Sequence, residues 1–254
     1  MSRTDVKADY GNWVSRRIIY FPTMLGLMLL PAAAVSYWFL TIPSIICFAF
    51  SAYFVYARHL FSPRGKDIQN KVWNLVLTNL DWNGNGKILD VGCGNGALTI
   101  KTAKHYPNAK VVGIDYWGTQ WEYSKSDCEA NARTEGVSDR VQFQKASASN
   151  LPFEDGYFDA AVSNMCFHEV ADAKDKREVI REALRVVRKG GSFCFQDLFL
   201  LKKLYGSPEE LVAAIKSWGV AEVEFVKTNK APFIPSALKL PFMLGRVAIV
   251  IGKK

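Results

Sequence analysis

The sequence predicts an α/β fold in which a mostly parallel sheet is covered by helices on both faces and is preceded by an apolar helical hairpin. Two observations carry this prediction. From residue 67 onward, apolar runs with strand character alternate with helical stretches, and this alternation is typical of a parallel sheet. Before that point, residues 18–57 contain no charged side chain, although the rest of the chain is rich in charge.

The uncharged segment is 40 residues long. As a helix it would extend about 60 Å, which is roughly twice the hydrocarbon thickness of a bilayer. Pro43, in "TIPS", offers a break near the middle because proline cannot continue a helix from the preceding turn. We therefore expect a membrane hairpin over residues 18–61, with two transmembrane helices near 18–40 and 44–61, after an N-terminal segment over residues 1–17.

Basic residues flank this hairpin on both sides: Arg16, Arg17, Arg58, Arg64 and Lys66. The positive-inside rule then puts both ends in the cytoplasm. The protein is therefore expected in the cell membrane, with its main domain, residues 62–254, on the cytoplasmic side. A partly inserted hairpin and a buried pair of core helices are the alternatives. A cleaved signal peptide does not fit, because the run is too long and lacks a small-residue cleavage pattern.

The net charge and the cysteine content limit the kinds of partner and metal site that the sequence favours. The net charge of +8 favours an anionic membrane surface or nucleic acid. With an apolar hairpin present, the lipid bilayer is the expected partner and nucleic acid is not. The five cysteines are widely spaced, with no C-x-x-C pair and no histidine at ligand spacing. They predict free thiols in a reducing compartment and no metal site.

The main domain is predicted element by element from its periodicity. Strands are expected at 88–91, 110–114, 141–145, 158–163 and 192–197. Helices are expected at 71–80, 96–105, 119–134, 174–188 and 207–219. The last two apolar runs, "EVEFVKT" and "GRVAIVIGKK", have no helix between them, so they predict an antiparallel hairpin at the sheet edge.

A glycine-rich loop follows the first strand in "ILDVGCGNGALTI". Its letters satisfy the dinucleotide fingerprint, but Asp90 stands at the carboxyl end of the strand, where ligands of open α/β sheets bind. A carboxylate there repels a pyrophosphate and attracts a cation. The loop therefore favours S-adenosylmethionine, which carries a sulfonium and an ammonium but no phosphate. Gly92 and Gly94 let the backbone approach such a ligand closely.

The second strand ends in Asp115, 25 residues after Asp90. An acid at this place suits a ribose diol, through two charge-assisted hydrogen bonds. Nicotinamide enzymes use the same device, so Asp115 does not discriminate between cofactors. Tyr116 and Trp117 follow directly, and either ring can pack on an adenine or serve packing alone.

Four stretches in order then resemble the successive motifs of class I S-adenosylmethionine-dependent methyltransferases: "ILDVGCGNG", "VVGIDYW", "ASASNLPFEDGYFDAAVSN" and "EALRVVRKGGSFCFQD". They are most similar to the small-molecule branch that includes the quinone-biosynthesis methyltransferases, and the resemblance covers residues 67–254. It implies a Rossmann-like seven-stranded class I methyltransferase sheet with an antiparallel last strand, and S-adenosyl-L-methionine as the cofactor.

The resemblance also implies roles for individual residues. Asp90, Gly92 and Gly94 would line the methionine moiety, Asp115 would hold the ribose, and Asn164 would begin the loop beside the cofactor.

One position departs from the family pattern. The family has an acid before the alanine of the segment preceding "LPF", where it receives the adenine amino group. Here Ser147 precedes Ala148. A hydroxyl accepts that hydrogen bond more weakly than a carboxylate does.

His168 and Glu169, in "SNMCFHEV", are the candidate catalytic residues, because they follow the fourth strand and should face the cleft. A neutral imidazole can take a proton from the methyl acceptor, since its reference pKa is near 6.5. The alternative is a histidine that only orients the start of a helix.

Two segments without helical or strand periodicity each have two interpretations. Residues 9–14, "DYGNWV", are interpreted as a lid over the cofactor or as a membrane-interface segment, and residues 234–245 as a wall of the substrate site or a lipid contact. The sequence as a whole predicts a membrane-anchored methyltransferase acting on a small amphiphilic or lipid-like acceptor. A non-catalytic S-adenosylmethionine-binding module and a nicotinamide-dependent oxidoreductase are the alternatives.

Overall fold

The computed structural model describes residues 7–35, 37–118 and 123–254. The chain divides into two compact units. Gly11–Lys71 forms one of them, which contains the apolar hairpin. Val72–Lys254, together with the described residues before Gly11, forms the other, which contains the sheet.

The sheet has seven strands in the order β3-β2-β1-β4-β5-β7-β6. Their bounds are β1 Gly86–Val91, β2 Ala109–Asp115, β3 Val141–Lys145, β4 Phe158–Asn164, β5 Val187–Asp197, β6 Glu222–Val226 and β7 Ala248–Lys253. Strands β1 to β5 are mutually parallel, and β7 runs antiparallel to both of its neighbours. The predicted fold with an antiparallel last strand is confirmed. Of the two strands of the terminal hairpin, β6 lies at the edge of the sheet and β7 lies inside it.

The helices are α3 Ile68–Asn79, α4 Ala97–His105, α5 Lys125–Thr134, α6 Lys176–Arg185, α7 Lys202–Tyr205 and α8 Pro208–Ser217. Several boundaries differ from the predictions, and two of these differences are at helices α5 and α6. Helix α5 begins after Ser124, whose hydroxyl caps it by accepting from the Asp127 N–H, and the predicted start at residue 119 falls on residues 119–122, outside the described residues. Helix α6 ends at Arg185 because the chain already enters β5 at Val187.

An aromatic core covers one face of the sheet. Phe193 and Phe195 of β5 are fully buried there with Phe167, and the Phe167 and Phe195 rings meet edge to face at 5.2 Å. Side chains alternate along a strand, so Asp197, two residues beyond Phe195, lies on this same face. The apolar face of β5 therefore ends in a fully buried carboxylate.

The hairpin unit contains α1 (Arg16–Val35), a short 3-10 turn (Trp38–Leu40) and α2 (Thr41–Phe61). The break between the helices is therefore earlier than the predicted break at "TIPS". Pro43 lies in the first turn of α2, where a missing backbone N–H costs nothing because that donor has no helical partner.

Hydroxyl groups join the two helices. The Ser44 hydroxyl donates to the Gly26 carbonyl at 2.9 Å. The Ser51 hydroxyl lies 2.9 Å from the Cys47 carbonyl of its own helix and 3.3 Å from the Ile19 carbonyl of the other. Gly26 allows a close approach, since an added Cβ would lie 3.1 Å from the Phe48 ring. Small residues and hydroxyl-to-carbonyl bonds between helices are typical of membrane helix pairs. By length and composition, both helices are able to cross a membrane.

The segment before α1 is attached to the hairpin unit from residue 11 onward. The Asn12 side chain donates to the Arg58 carbonyl at 3.0 Å, and the Trp13 backbone donates to the Gln69 side chain at 3.0 Å. The Trp13 ring also packs edge-on against Phe61. Residues 11–14 thus serve to pack the hairpin unit.

Candidate active site

The glycine loop leaves the carboxyl end of β1 and is tied to β2. The backbone N–H groups of Gly92 and Cys93 both donate to the Ile114 carbonyl, at 2.8 and 2.9 Å. Gly92 has a φ of 75°, and a Cβ there would lie 2.3 Å from the Cys166 sulfur. Only glycine fits this position, which brings the backbone of the loop close to the segment after β4.

Asp90 is fully buried beside this loop. Its Oδ2 accepts a hydrogen bond from the Thr99 hydroxyl at 2.6 Å, whereas its Oδ1 has no hydrogen-bond partner among the described residues. Burial, reinforced by the charge of Asp115 and opposed by the Thr99 bond, raises the pKa of Asp90 to about 7. An incompletely compensated buried carboxylate is a place where a cationic group is stabilised.

Asp115 closes the glycine loop from the end of β2. Its Oδ2 accepts from the Gly94 N–H at 2.9 Å, and its Oδ1 accepts from the Trp117 N–H at 2.8 Å. Burial raises the pKa of Asp115 against the opposing effect of these backbone donors. Each carboxylate oxygen retains a second acceptor position, so the group can still bind a diol.

The two aromatic candidates after Asp115 have different surroundings. The Trp117 indole N–H donates to the Gly94 carbonyl at 2.8 Å, so this ring braces the glycine loop. Trp117 has a φ of 44°, unusual for a bulky side chain, which the two hydrogen bonds hold in place. Tyr116 is 65% exposed, and the Lys145 ammonium lies 5.3 Å from the centre of its ring.

Asn164 brings a second acceptor without a partner to the same edge of the sheet. It ends β4, the strand beside β1, and its buried Oδ1 has no hydrogen-bond partner in the described part of the chain. Met165 follows with a φ of 57°, and its N–H donates to the Gln196 carbonyl at 2.8 Å. Neighbouring strands thus end in two unsatisfied oxygens, on Asp90 and Asn164.

Ser147 is bonded to a carboxylate that sequence analysis missed. The hydroxyls of Ser147 and Ser149 donate to Asp172 Oδ2 at 2.8 and 2.7 Å, while Ala148 is buried. These hydrogen bonds lower the pKa of Asp172. Ser147 stands where the family has an acid, and it is hydrogen-bonded to another acid, Asp172. No local pattern points to it, because Asp172 is contributed by the loop after β4.

His168 lies on a 3-10 turn, Phe167–Glu169, that is held by Asp197. Asp197 Oδ2 accepts from the Phe167 N–H at 2.8 Å, and its Oδ1 lies 2.8 Å from His168 Nδ1. On the other side of the ring, Nε2 is 3.2 Å from Glu169 Oε1. The Tyr205 hydroxyl also reaches Asp197, at 3.3 Å. Asp197 was not among the candidates from the sequence, because it lies 29 residues from His168, at the end of β5.

The two carboxylates decide the charge of the imidazole. Burial alone lowers the pKa of His168, but Asp197 and Glu169 outweigh it and raise the pKa to about 10. At neutral pH the ring is therefore an imidazolium that donates from both nitrogens. A neutral imidazole, as expected from the sequence, is not the resting form. Glu169, with a side chain 42% exposed and its pKa lowered by the His168 hydrogen bond, is the accessible end of this cluster.

Residues before the hairpin unit reach the same region. The Asp9 N–H donates to Asn131 Oδ1 at 2.9 Å, and Asn131 Nδ2 donates to the carbonyls of Asp9 and Asn95 at 2.8 and 3.1 Å. Asn131 of α5 thus joins the N-terminal segment to the glycine loop. Among residues 7–35, 37–118 and 123–254, no group of three His, Cys, Asp or Glu side chains is placed to hold a metal.

Comparison with known proteins finds similarity to methyltransferases. Residues 88–191 match the family model described as a methyltransferase domain. The chain is 34% identical over 104 residues to norajmaline N-methyltransferase of Rauvolfia serpentina, covering 41% of this chain and 32% of that protein. It is 35% identical over 115 residues to 27-O-demethylrifamycin SV methyltransferase of Amycolatopsis mediterranei, covering 45% and 39%. The chain thus spans about a third to two-fifths of these relatives.

Solved structures share the fold at low identity. Geranyl diphosphate methyltransferase, in complex with geranyl diphosphate and sinefungin, superposes with a TM-score of 0.54 at 16% identity, over 72% of this chain and 77% of that one. The [4+2]-cyclase SpnF superposes with a TM-score of 0.53 at 21% identity, over 72% and 78%. The chain therefore has the class I methyltransferase fold, and residues 88–191 are similar to a methyltransferase domain. A fold alone does not fix the reaction.

The ionised His168 cluster predicts a pH-dependent stability. The folded pKa of about 10 lies above the ordinary value of 6.5, so the stabilisation is complete below pH 6.5 and is lost as the pH rises through 10. Relative to His168→Gln, the unsubstituted protein should lose on the order of 5 kcal/mol of unfolding free energy over this window. Urea unfolding in detergent at several pH values measures it. The exposed His105→Gln serves as the control, and a constant difference between the His168→Gln and unsubstituted proteins across the window would contradict the assignment.

Proposed function

We propose that the chain is a membrane-anchored methyltransferase that uses S-adenosylmethionine and methylates a small amphiphilic acceptor. The observation that carries the proposal is the buried Asp90, whose Oδ1 lacks a partner beside the positive-φ glycine loop. A buried carboxylate in this state is costly unless a cation compensates it. A pyrophosphate would add a second negative charge. The methyltransferase-domain match over residues 88–191 supports the same cofactor.

The described residues fit each part of this cofactor. S-adenosylmethionine supplies a methyl group on a positively charged sulfur, which makes it a good target for a nucleophile. Asp90 and Asn164, with their two unpartnered oxygens, would hold the ammonium of its amino-acid part. Asp115 would hold the ribose through the acceptor positions that the Gly94 and Trp117 N–H groups leave free.

Asp172 would restore the adenine contact that the sequence lacks. Its ionised carboxylate is positioned by Ser147 and Ser149, so a strong acceptor stands beside the place of the family's acid. A carboxylate forms a stronger hydrogen bond with an amino group than a serine hydroxyl does. The serine in the motif is then a bridge to Asp172 rather than a loss of adenine recognition.

Glu169 and His168 would contact the acceptor. The imidazolium is held by the buried Asp197 and orients Glu169, whose carboxylate is half-exposed and ionised at neutral pH. Glu169 can accept a hydrogen bond from an acceptor hydroxyl or amine and take its proton as methylation makes that proton acidic. A weak base is sufficient at that stage, so the main contribution of the site is to position the two reactants.

The exposure of the hairpin supports the membrane anchor. Both helices expose large apolar side chains instead of burying them, as core helices would: Tyr20, Phe21, Met24, Leu27, Met28, Ile42, Ile45, Ile46, Val55 and Tyr56. Lipid is the environment that covers such a surface without cost. We infer that α1 and α2 span the cell membrane, with their basic flanks and the methyltransferase domain in the cytoplasm.

A non-catalytic cofactor-binding module is the alternative, and the serine at position 147 is the observation that favours it. A nicotinamide-dependent oxidoreductase is disfavoured by the negative charge of Asp90. Binding and turnover measurements separate the three.

Cofactor binding should depend on pH through Asp90. A cationic ligand requires the ionised carboxylate, whose pKa is about 7 in the free protein. Affinity for S-adenosylmethionine should therefore fall as the pH drops below 7, approaching about tenfold per pH unit. Calorimetry at several pH values measures this. Asp90→Asn should bind weakly and without this pH dependence, whereas the exposed Asp139→Asn should behave like the unsubstituted protein. Tight NAD binding in place of S-adenosylmethionine would overturn the cofactor assignment.

Turnover should place a methyl group on a lipid-soluble molecule. The full chain is incubated with native lipid extract and cofactor carrying an isotope-labelled methyl group, and the products are located by mass spectrometry. Glu169→Gln should lower turnover roughly a hundredfold while leaving cofactor affinity unchanged. Label confined to water-soluble products would refute the amphiphilic acceptor. Cofactor binding with no labelled product would support the non-catalytic module.

The hairpin should expose its turn on the far side of the membrane. In a variant without the native cysteines, Trp38→Cys, in the 3-10 turn, should react with an impermeant thiol reagent only from outside the cell. Arg64→Cys, just after α2, should react only from the cytoplasmic side. Reaction of both positions from the cytoplasmic side would show that the hairpin is inserted only partly.

A further inference from the structure

A basic and partly apolar surface lies beside the candidate active site and has no role in the function proposed above. We name it the basic edge surface. Its members come from α7 and from the connection between β6 and β7: Lys202, Lys203, Lys227, Lys230, Lys239, Leu240, Phe242 and Arg246. All of these side chains are exposed, and Phe242 is 62% exposed.

The topology puts this surface at the carboxyl edge of the sheet. Strand β6 ends at Val226, and β7 begins at Ala248, which is the register partner of Asp197. Residues 227–247 therefore emerge at the edge where Asp197 holds His168. The Leu200 N–H donates to the Arg246 carbonyl at 3.0 Å, which joins the α7 side of the surface to the connection.

The charged side chains in this part of the chain are all positive. Residues 225–254 contain six Lys or Arg and no Asp or Glu. The four cations of the connection and the two of α7 form no ion pair with any described residue. Glu209, at the start of α8, is the acid whose charge interacts with Lys202 and Lys227. The positive charge of the other four cations, Lys203, Lys230, Lys239 and Arg246, is therefore available to an external anionic partner.

The connection between β6 and β7 has buried side chains and internal hydrogen bonds of its own. Ile234, Leu238 and Leu244 are buried beneath it. The Asn229 side chain donates to the Gly245 carbonyl at 2.7 Å, and the Leu244 N–H donates to the Leu238 carbonyl at 2.9 Å.

Its tip is folded outward. The N–H groups of Met243 and Gly245 both donate to the Leu240 carbonyl, at 2.9 and 3.0 Å, which closes a tight turn. With the interior of the connection already filled, Leu240 and Phe242 are exposed on this turn between the cations Lys239 and Arg246.

We propose that the basic edge surface docks on the surface of an anionic lipid bilayer. An apolar tip between cations matches the boundary of a membrane, where apolar side chains enter the acyl region and Lys or Arg contact anionic headgroups. Nucleic acid would pair with the cations but would leave the exposed apolar surface of Leu240 and Phe242 in water. Docking would turn the carboxyl edge of the sheet, with His168 and Glu169, toward the lipid.

This contact is separate from the hairpin anchor and from methyl transfer. The hairpin needs only apolar lipid, whereas the basic edge surface requires negative charge on the bilayer. An experiment that varies lipid charge at constant bilayer structure therefore tests it alone, and its result does not depend on the cofactor or the acceptor.

The test uses the full chain in nanodiscs of phosphatidylcholine alone or of equal parts phosphatidylcholine and phosphatidylglycerol. An environment-sensitive fluorophore is attached to Phe242→Cys in a variant without the native cysteines. We expect its emission to shift to the blue in the anionic discs only, and the shift to disappear at high salt. The same fluorophore on Asn85→Cys, in the exposed turn before β1, should report no change.

Charge reversal supplies the matched comparison. Lys239→Glu combined with Arg246→Glu should abolish the shift. Lys110→Glu combined with Lys189→Glu, two exposed positions near the amino ends of β2 and β5, should leave it intact. Hydrogen exchange of the native sequence in the same discs gives a second readout, with slower exchange over residues 239–246 in anionic lipid only.

Three results would overturn the proposal. The first is equal emission at position 242, together with equal exchange over residues 239–246, in neutral and anionic discs. The second is a shift that survives the reversal of Lys239 and Arg246. The third is a larger shift with duplex RNA or DNA than with anionic lipid, which would assign the surface to nucleic acid.

Discussion

Buried and partly buried carboxylates at the carboxyl edge of the sheet organise the candidate site. Asp90, Asp115 and Asp197 lie at or near the ends of three strands of one sheet. Asp115 is compensated by backbone N–H groups of the glycine loop, and Asp197 by His168 and the Phe167 N–H. Among the described residues, Asp90 is held by Thr99, and its Oδ1 has no hydrogen-bond partner. Since an uncompensated buried charge is expensive, Asp90 is the carboxylate of the three that a cationic ligand would stabilise most.

Patterns within single segments of the sequence were sufficient to predict the parts of the site that one segment forms by itself. Strand periodicity with Asp90 and Asp115 at the strand ends predicted the sheet, its ligand edge and the sign of the charge there. The glycine spacing predicted the close backbone approach at Gly92. The break of the hairpin was misplaced because Pro43 is equally compatible with the first turn of a helix, and only the packing of the two helices distinguishes these cases.

The parts that were missed are contributed by elements distant in sequence. Asp172 meets Ser147 from 25 residues away, and Asp197 meets His168 from 29 residues away. Sequence analysis assigned His168 an ordinary pKa because nothing near it in the sequence indicates a buried partner. The pairing of β4 with β5 brings that partner into place, and the protonation state of the imidazole follows from it. The fold thus changes the protonation state that the sequence alone predicts for His168.

The two proposed membrane contacts impose different requirements, and together they restrict the acceptor. Helices that expose apolar side chains along their length would hold the chain in any bilayer, but an apolar anchor does not by itself select a particular face of the attached domain to meet the lipid. Cations around Leu240 and Phe242 at the carboxyl edge remove that freedom when the lipid is anionic, because the charge and the apolar tip must face the headgroups together. A site oriented in this way gains nothing for an acceptor that is dissolved in water. It favours molecules that already reside at the headgroup boundary, with an apolar body in the acyl region and a polar atom at the depth that Glu169 can reach.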